Sequence, residues 1–244
     1  PSPIASVGPN VGAYDDNTVV GGNLYYYRIG VIRNGEELIS DEHEAIAIGV
    51  PDSIGINIFI GGDITAGYLG EVPSTDLITG DALASSIGLT EGNTQNNNAS
   101  WWKFAIDYEI IYVPTNTFRY NISWDAINAV NAVNDDSNAP IVTIGGYDFR
   151  VTLLTGNGQN SEWNKLIYRV HSDVPTDQIG DNWAEYNTDN TSITSGNGQF
   201  TWCQEIDGLR ATYRGYYSLS KISTYPSRNG YSGTGWRPAL RLIQ

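Results

Sequence analysis

Between Arg210 and Trp236 the side chains best equipped for chemistry are tyrosines. Tyr213, Tyr216, Tyr217, Tyr225 and Tyr231 stand there with Arg228 and Asn229, among Ser and Gly. Rigid amphipathic rings beside adaptable hydrogen-bonding groups are the chemistry of recognition loops. Tyr and Arg are also the usual hot-spot types in binding. Aromatic faces stack on sugar rings as well, so the ligand of such a face is a protein or a carbohydrate. The same composition describes the surface of a soluble, β-rich extracellular protein, and the residues alone leave both readings open. Two apolar anchors bracket the interval, Phe200-Thr201-Trp202 and Trp236-Arg237-Pro238-Ala239-Leu240. They read as core strands, which makes the interval a set of exposed loops.

A second constellation is Trp202, Glu205, Arg214, Trp236 and Arg237. It reads as a frame. The tryptophans fill the core, and Arg237 or Arg214 pairs with Glu205, because a buried charge without a partner is costly. Catalysis needs a nucleophile, a base and a stabiliser in one pocket. His43 and His171 are far apart, and neither G-x-S-x-G nor H-E-x-x-H occurs. No enzyme is therefore expected, although 27 acidic residues leave room for a carboxylate pair of the glycoside-hydrolysing kind.

Cys203 is the one cysteine, so no intrachain disulfide or thiolate zinc cluster can form. Beside Trp202 it reads as a small core residue. The clusters Asn134-Asp135-Asp136-Ser137-Asn138 and Asn187-Thr188-Asp189-Asn190 offer oxygens but lack the glycine and distal glutamate of an EF-hand loop. Turn chemistry accounts for them. No metal and no cofactor is expected.

The 244 residues carry 13 Lys and Arg against 27 Asp and Glu, a formal charge of -14. That balance argues against nucleic acid and anionic membrane as partners. Only 16% of residues are charged. Tyr, Asn, Ser, Thr and Gly supply the polarity, which suits an extracellular or virion surface. No stretch is apolar for long enough to span a bilayer, and no signal peptide is visible. A Pro-Ser-Pro start and the absence of Met read as a processed product or part of a longer chain.

These residues need a scaffold, and the chain offers two parts, 1–50 and 51–244. In the first, a linker precedes the strand Asn23–Ile32, whose alternation puts Tyr25, Tyr27, Ile29 and Val31 on one face. A turn at Asn34-Gly35 follows, then a returning strand Glu44–Ile48. In the second, Ile54–Ile60 alternates as a strand and Asp81–Ile87 is a short helical piece. Trp101–Ile106 and Glu109–Pro114 form a hairpin across Asp107-Tyr108, and Ile141–Leu154 holds two strands across Gly145-Gly146. Ser123 caps a helix over Trp124–Val133 and Ser161 caps another over Glu162–Val170. In the latter, Trp163, Leu166, Ile167 and Val170 share one side. Pro175–Asn197 is a long polar loop with Trp183 and Tyr186 as anchors. The expected class is α+β, mostly antiparallel.

Two resemblances sharpen this. Val19-x-x-Gly22-x-x-Tyr25-Tyr26-Tyr27-Arg28, the loop ending Ser40-Asp41-Glu42 and the short strand after it resemble the last two strands of a fibronectin type III module, about half of one. In 51–244, Trp202-x-x-Glu205, Arg214-Gly215 and Gly235-Trp236-Arg237-Pro238 come in the order seen in a branch of the C-type-lectin fold. That branch contains formylglycine-generating enzymes and variable phage receptor-binding proteins. Trp102-Lys103-Phe104-Ala105, Arg119–Asp125, Val151–Gly156, Ser161–Val170, Trp202–Glu205 and Gly235–Leu240 together resemble a group of phage virion proteins.

The resemblance implies an extracellular location in the virion, at a tail fibre or tail tip. It implies a homo-oligomer beside other tail proteins, and contact with a host surface protein or glycan through the loops between Arg210 and Trp236. The alternatives are a structural virion protein whose tyrosine face joins subunits, or, less favoured, an enzyme degrading cell-envelope polysaccharide. Formylglycine-generating activity needs reactive cysteines, and Cys203 sits in a core-like strand. Sugar-binding C-type lectins carry Glu-Pro-Asn or Gln-Pro-Asp and then Trp-Asn-Asp. None of these occurs here, so calcium-dependent sugar binding is not implied.

Overall fold

The structure, a computed structural model, describes residues 3–14, 16, 18–19, 23–46, 50–168, 197–216 and 219–243. The long loop with Trp183 and Tyr186, His171, Tyr217 and the Asn187–Asn190 cluster lie outside the described residues. The chain divides into two compact units, Pro1–Pro51 and Asp52–Gln244. The class is mixed α+β, with short helices and open antiparallel and mixed sheets, none closed into a barrel.

Unit one holds β1 (Leu24–Tyr27), β2 (Gly30–Arg33), β3 (Glu36–Ile39) and β4 (His43–Ile46). β2 pairs with β3 and β1 with β4, all antiparallel. The single strand expected over Asn23–Ile32 is thus broken at Arg28-Ile29. There the Ile29 N–H donates to Ser40 Oγ at 3.0 Å, so a side chain takes a place in the ladder. Asn34 (φ 54°) and Gly35 (φ 84°) are both left-handed, as a tight hairpin requires. The expected return from Glu44 is seen as β4 on β1, and β3 adds an earlier return at Glu36. Tyr25 and Tyr27 are half-buried with ring centroids 6.4 Å apart, whereas Ile29, Val31, Ile32, Leu38 and Ile39 are 58–75% exposed. Two-stranded pairs have no second layer to cover them.

Unit two begins with β5 (Gly61–Gly62), β6 (Ala66–Val72), α1 (Gly80–Ser86), β7 (Asn93–Thr94), β8 (Trp101–Ile106), β9 (Glu109–Pro114) and β10 (Arg119–Tyr120). It continues with α2 (Trp124–Ala129), β11 (Ile141–Ile144), β12 (Tyr147–Thr152), β13 (Phe200–Asp207), β14 (Arg210–Arg214), β15 (Ile222–Pro226), β16 (Thr234–Trp236) and β17 (Ala239–Leu242). One sheet runs β11-β12-β17-β9-β8-β6-β5, antiparallel throughout. The other runs β15-β14-β13-β16-β10-β7, with β13 and β16 parallel. The chain's end joins them. Trp236 closes β16 in the second sheet, buried Arg237 and Pro238 make the crossing, and Ala239 opens β17 in the first.

The core sits on β8 and β9, where every residue except Glu109 is buried. Their turn places Asp107 (φ 47°) and Tyr108 (φ 72°) in the left-handed region. Trp102, Phe104, Ile111, Val113, Leu154, Trp163, Leu166 and Leu219 form one cluster. Each such side chain contributes about 1.5–3 kcal/mol on burial. Buried indole N–H groups need acceptors. Trp124 donates to Cys203 O at 2.8 Å, Trp163 to Leu219 O and Trp202 to Ile122 O at 2.9 Å each, which also ties the layers together.

Four expectations change. Ile54–Ile60 is not a strand. Gly55 turns at φ 86°, and the carbonyls of Ile54 and Ile56 accept from the Tyr112 hydroxyl and the Lys103 amine instead of from a neighbouring strand. The helix capped by Ser123 ends at Ala129, because Asn131 turns left-handed at φ 58°. Over Trp163–Ile167 the chain winds as a wide π turn. The Trp163 N–H goes back to Thr155 O, and the Glu162 carboxylate takes the Thr155 N–H, so the turn is held from outside itself. Finally, the interval Arg210–Trp236 is not all loop, since β14 and β15 run through it.

Candidate binding face

β13, β14 and β15 lie side by side, with Trp202 opposite Tyr213, Tyr213 opposite Ser223 and Ala211 opposite Tyr225. Side chains two apart share a face, so Phe200 and Trp202 of β13 meet Tyr213 of β14. Phe200 is the hub. Tyr213 stacks on it at 4.3 Å and 17°, Tyr216 stands edge-on at 4.3 Å and 87°, and Tyr231 meets it at 5.3 Å and 64°. Tyr225 packs on Tyr231 at 4.8 Å and 44°. Such pairs contribute about 0.5–1.5 kcal/mol each beyond the area they bury. Gly233 makes room, since a Cβ there would stand 2.7 Å from the Tyr231 ring.

The structure thus brings together four of the tyrosines that sequence singled out, and it ranks them. Tyr213 is 8% exposed and forms the floor with Phe200. Tyr216, Tyr225 and Tyr231 are half-buried, and Arg228 and Asn229 are exposed on the turn after β15. Tyr217 lies outside the described residues. The Tyr231 phenol is pushed well up, first by burial and then by the neighbouring phenols of Tyr213, Tyr225 and Tyr216. It stays protonated, so it can both donate and accept.

Trp202, Arg214, Trp236 and Arg237 are buried as expected, Glu205 is half-buried, and the pairing differs. Glu205 is not bridged to an arginine; among the described residues no ion pair within 4.0 Å joins it to Arg214 or Arg237. Its carboxylate accepts from the Gly156 N–H at 2.9 Å and the Asn157 N–H at 3.0 Å. Arg214 grips the same loop from the other side, donating to Gly156 O at 2.9 Å and Asn164 Oδ1 at 2.7 Å. A peptide held at both its N–H and its C=O satisfies both charges without direct contact. Gly156 itself must be glycine, because a Cβ would stand 2.4 Å from Cys203 Sγ. Arg237 is fully buried, its guanidinium 5.8 Å above the Trp102 ring and, among the described residues, without a hydrogen-bond partner on any guanidinium nitrogen. Burial alone pulls it down to about 10.

Cys203 is buried and its thiol is pushed well up by burial. His43 sits in β4 and is exposed. In the first Asx cluster, Asp136 Oδ1 accepts from the Asn138 N–H at 2.7 Å and Asp135 pairs with Arg150 at 2.6 Å. Among the described residues no three His, Cys, Asp or Glu side chains converge on a metal position, and no helix is long and apolar enough to cross a membrane.

Two polar groups escaped the sequence reading. Buried Arg241 links Glu162 at 2.5 Å, Glu109 at 3.4 Å and Thr152 at 3.0 Å. Lys103, fully buried in β8, donates to Ile56 O at 2.9 Å and Asn57 Oδ1 at 2.5 Å. The signal for both was a lone cation inside an apolar strand, Trp-Trp-Lys-Phe-Ala-Ile and Ala-Leu-Arg-Leu-Ile. No family model, curated protein or solved structure matches the chain.

Proposed function

We propose that residues 52–244 form a non-catalytic receptor-binding or adhesion module whose face is centred on Phe200. Its contact residues are Tyr216, Tyr225, Arg228, Asn229 and Tyr231, with Tyr213 beneath them and Tyr217 added from sequence alone. The setting we propose is a phage tail fibre or tail tip, extracellular and oligomeric, beside other tail proteins. The ligand is a host surface protein or glycan. The finer architecture proposed is C-type-lectin-like for 52–244 and partly fibronectin III-like for the first unit. The motif order quoted above supports this, together with the framing roles of Glu205, Arg214 and Trp236.

One observation carries the proposal. Aromatic side chains from β13, β14, β15 and the turns beside β15 are packed into a group that still leaves three phenols partly open beside an exposed Arg-Asn pair. Groups already held in place lose little freedom on binding, which leaves more of the contact energy for affinity.

Adsorption of the labelled full chain to bacterial cell envelopes tests it. Tyr225→Ala with Arg228→Ala is expected to weaken adsorption about tenfold or more, on the scale of hot-spot losses, while the chain stays folded and loses only about 0.5–1.5 kcal/mol beyond the buried area of the Tyr225–Tyr231 pair. Full adsorption by that variant removes the face from the account. A face found covered by a neighbouring copy in the assembled particle makes it a subunit contact instead.

A further inference from the structure

The loop from Asp52 to Asn57 lies against the buried amine of Lys103, and what gathers there is a reactive set. Lys103 Nζ is 2.5 Å from Asn57 Oδ1. A C=O bond of about 1.2 Å then puts Nζ within about 3.7 Å of the carboxamide carbon, close to attacking distance. The Ser53 hydroxyl donates to the same Oδ1 at 3.0 Å. Asp52, whose Oδ2 accepts from the Tyr147 hydroxyl at 2.8 Å, acts on the Lys103 charge. Gly55, at φ 86°, lets the loop close down; a Cβ there would stand 2.6 Å from the Val72 side chain and 3.9 Å from the Lys103 stem.

We propose that Lys103 and Asn57 form an intramolecular isopeptide bond. Lys103 has no protein carboxylate paired to its amine within 4.0 Å among the described residues. Burial lowers the amine to about 8, so the nucleophilic neutral form is within reach near neutral pH. The Lys103 ammonium first releases one proton to solvent. The freed lone pair on Nζ attacks Cγ of Asn57, and the C=O electron pair moves onto Oδ1, where the Ser53 hydroxyl stabilises it. On collapse the Cγ–Nδ2 bond breaks. Nδ2 takes a proton from the attacking nitrogen and leaves as ammonia, which takes up one proton from solvent. The sum is one ammonium and one carboxamide converted to one secondary amide and one ammonium ion, with no oxidant or cofactor. Asn57 lies at the surface, so the leaving group has a way out.

The bond would tie the start of the larger unit to its central sheet. Tension arriving along the chain from Pro51 would pass at Asn57 straight into β8, leaving residues 58–102 unloaded.

Intact mass of the purified full chain reads the reaction directly. The expected result is a mass one ammonia, about 17 Da, below that of the sequence, as nucleophilic displacement at an amide demands. Chymotrypsin, cutting at Phe59 and Trp102, should then release a branched peptide joining Asn57 to Lys103. Asn57→Ala should recover the full mass and a Lys103 amine that labels in denaturant. A wild-type chain of full mass with a free Lys103 amine overturns the proposal. So does a deficit that persists in Asn57→Ala, which would mark ring closure at another asparagine such as Asn157 before Gly158.

Discussion

Two aromatic groups in residues 52–244 use the same kinds of side chain to opposite ends. On β8 and β9, Trp101, Trp102, Phe104 and Tyr112 are closed off from solvent, with Trp101 edge-on to Phe118 at 5.1 Å and Tyr112 edge-on to Phe149 at 5.7 Å. Around Phe200 the rings are as close, yet Tyr216, Tyr225 and Tyr231 keep part of their surface in water. The first group occupies middle strands of the seven-stranded sheet, and the second gathers beside β15, an edge of the six-stranded one. A ring enclosed on every side contributes all it can to stability. A half-open ring, held at its inner edge by Phe200, is rigid without being used up.

The largest expected effect falls on the closed group. Trp102→Ala should cost about 3–5 kcal/mol, a large part of a domain's usual 5–15 kcal/mol. Denaturant unfolding measures it; a loss below about 1 kcal/mol would show that the two groups differ less than their burial implies.

Arg237 sharpens the contrast from within the closed group. Its three guanidinium nitrogens are buried and, among the described residues, unpaired. Arg237→Met should therefore be neutral or stabilising by up to about 4 kcal/mol, with adsorption unchanged. Marked destabilisation would mean that the guanidinium's stacking on Trp102 outweighs its desolvation.

A smaller effect comes from Lys103. Its folded value of about 8 lies below the ordinary 10.5. Between these values the unfolded chain binds a proton that the folded chain has released. This contribution is absent below about pH 8 and grows as pH rises. Where the isopeptide bond forms, Lys103 does not titrate and the rise is missing, whereas Asn57→Ala restores it. Tyr112 and Tyr231, raised above their ordinary 10.0 by burial, oppose it only above about pH 10. Unfolding midpoints from about pH 7.5 to about pH 9.5 separate the two curves.

Local chemistry was legible in the sequence wherever it decided the outcome. The β8–β9 hairpin, the Asn34-Gly35 turn and the Ser123 cap follow from neighbouring residues alone. Ile54–Ile60 misled because its carbonyls are satisfied by Tyr112 and Lys103, 58 and 47 positions further along. The interval after Arg210 misled through its Ser and Gly, although Thr212, Tyr213, Thr224 and Tyr225 are good strand formers. The recognition residues were visible by type. Their hub, Phe200, reads in sequence as a strand anchor, because what makes it a hub is the registry of three strands that no local signal encodes.

Footprinting of the tyrosines by hydroxyl radicals, with and without bound cell envelope, tests the central claim most directly. Tyr216, Tyr225 and Tyr231 are expected to become protected on binding while Tyr26 in β1, 55% exposed, does not. Binding that leaves those three tyrosines as reactive as before would contradict it.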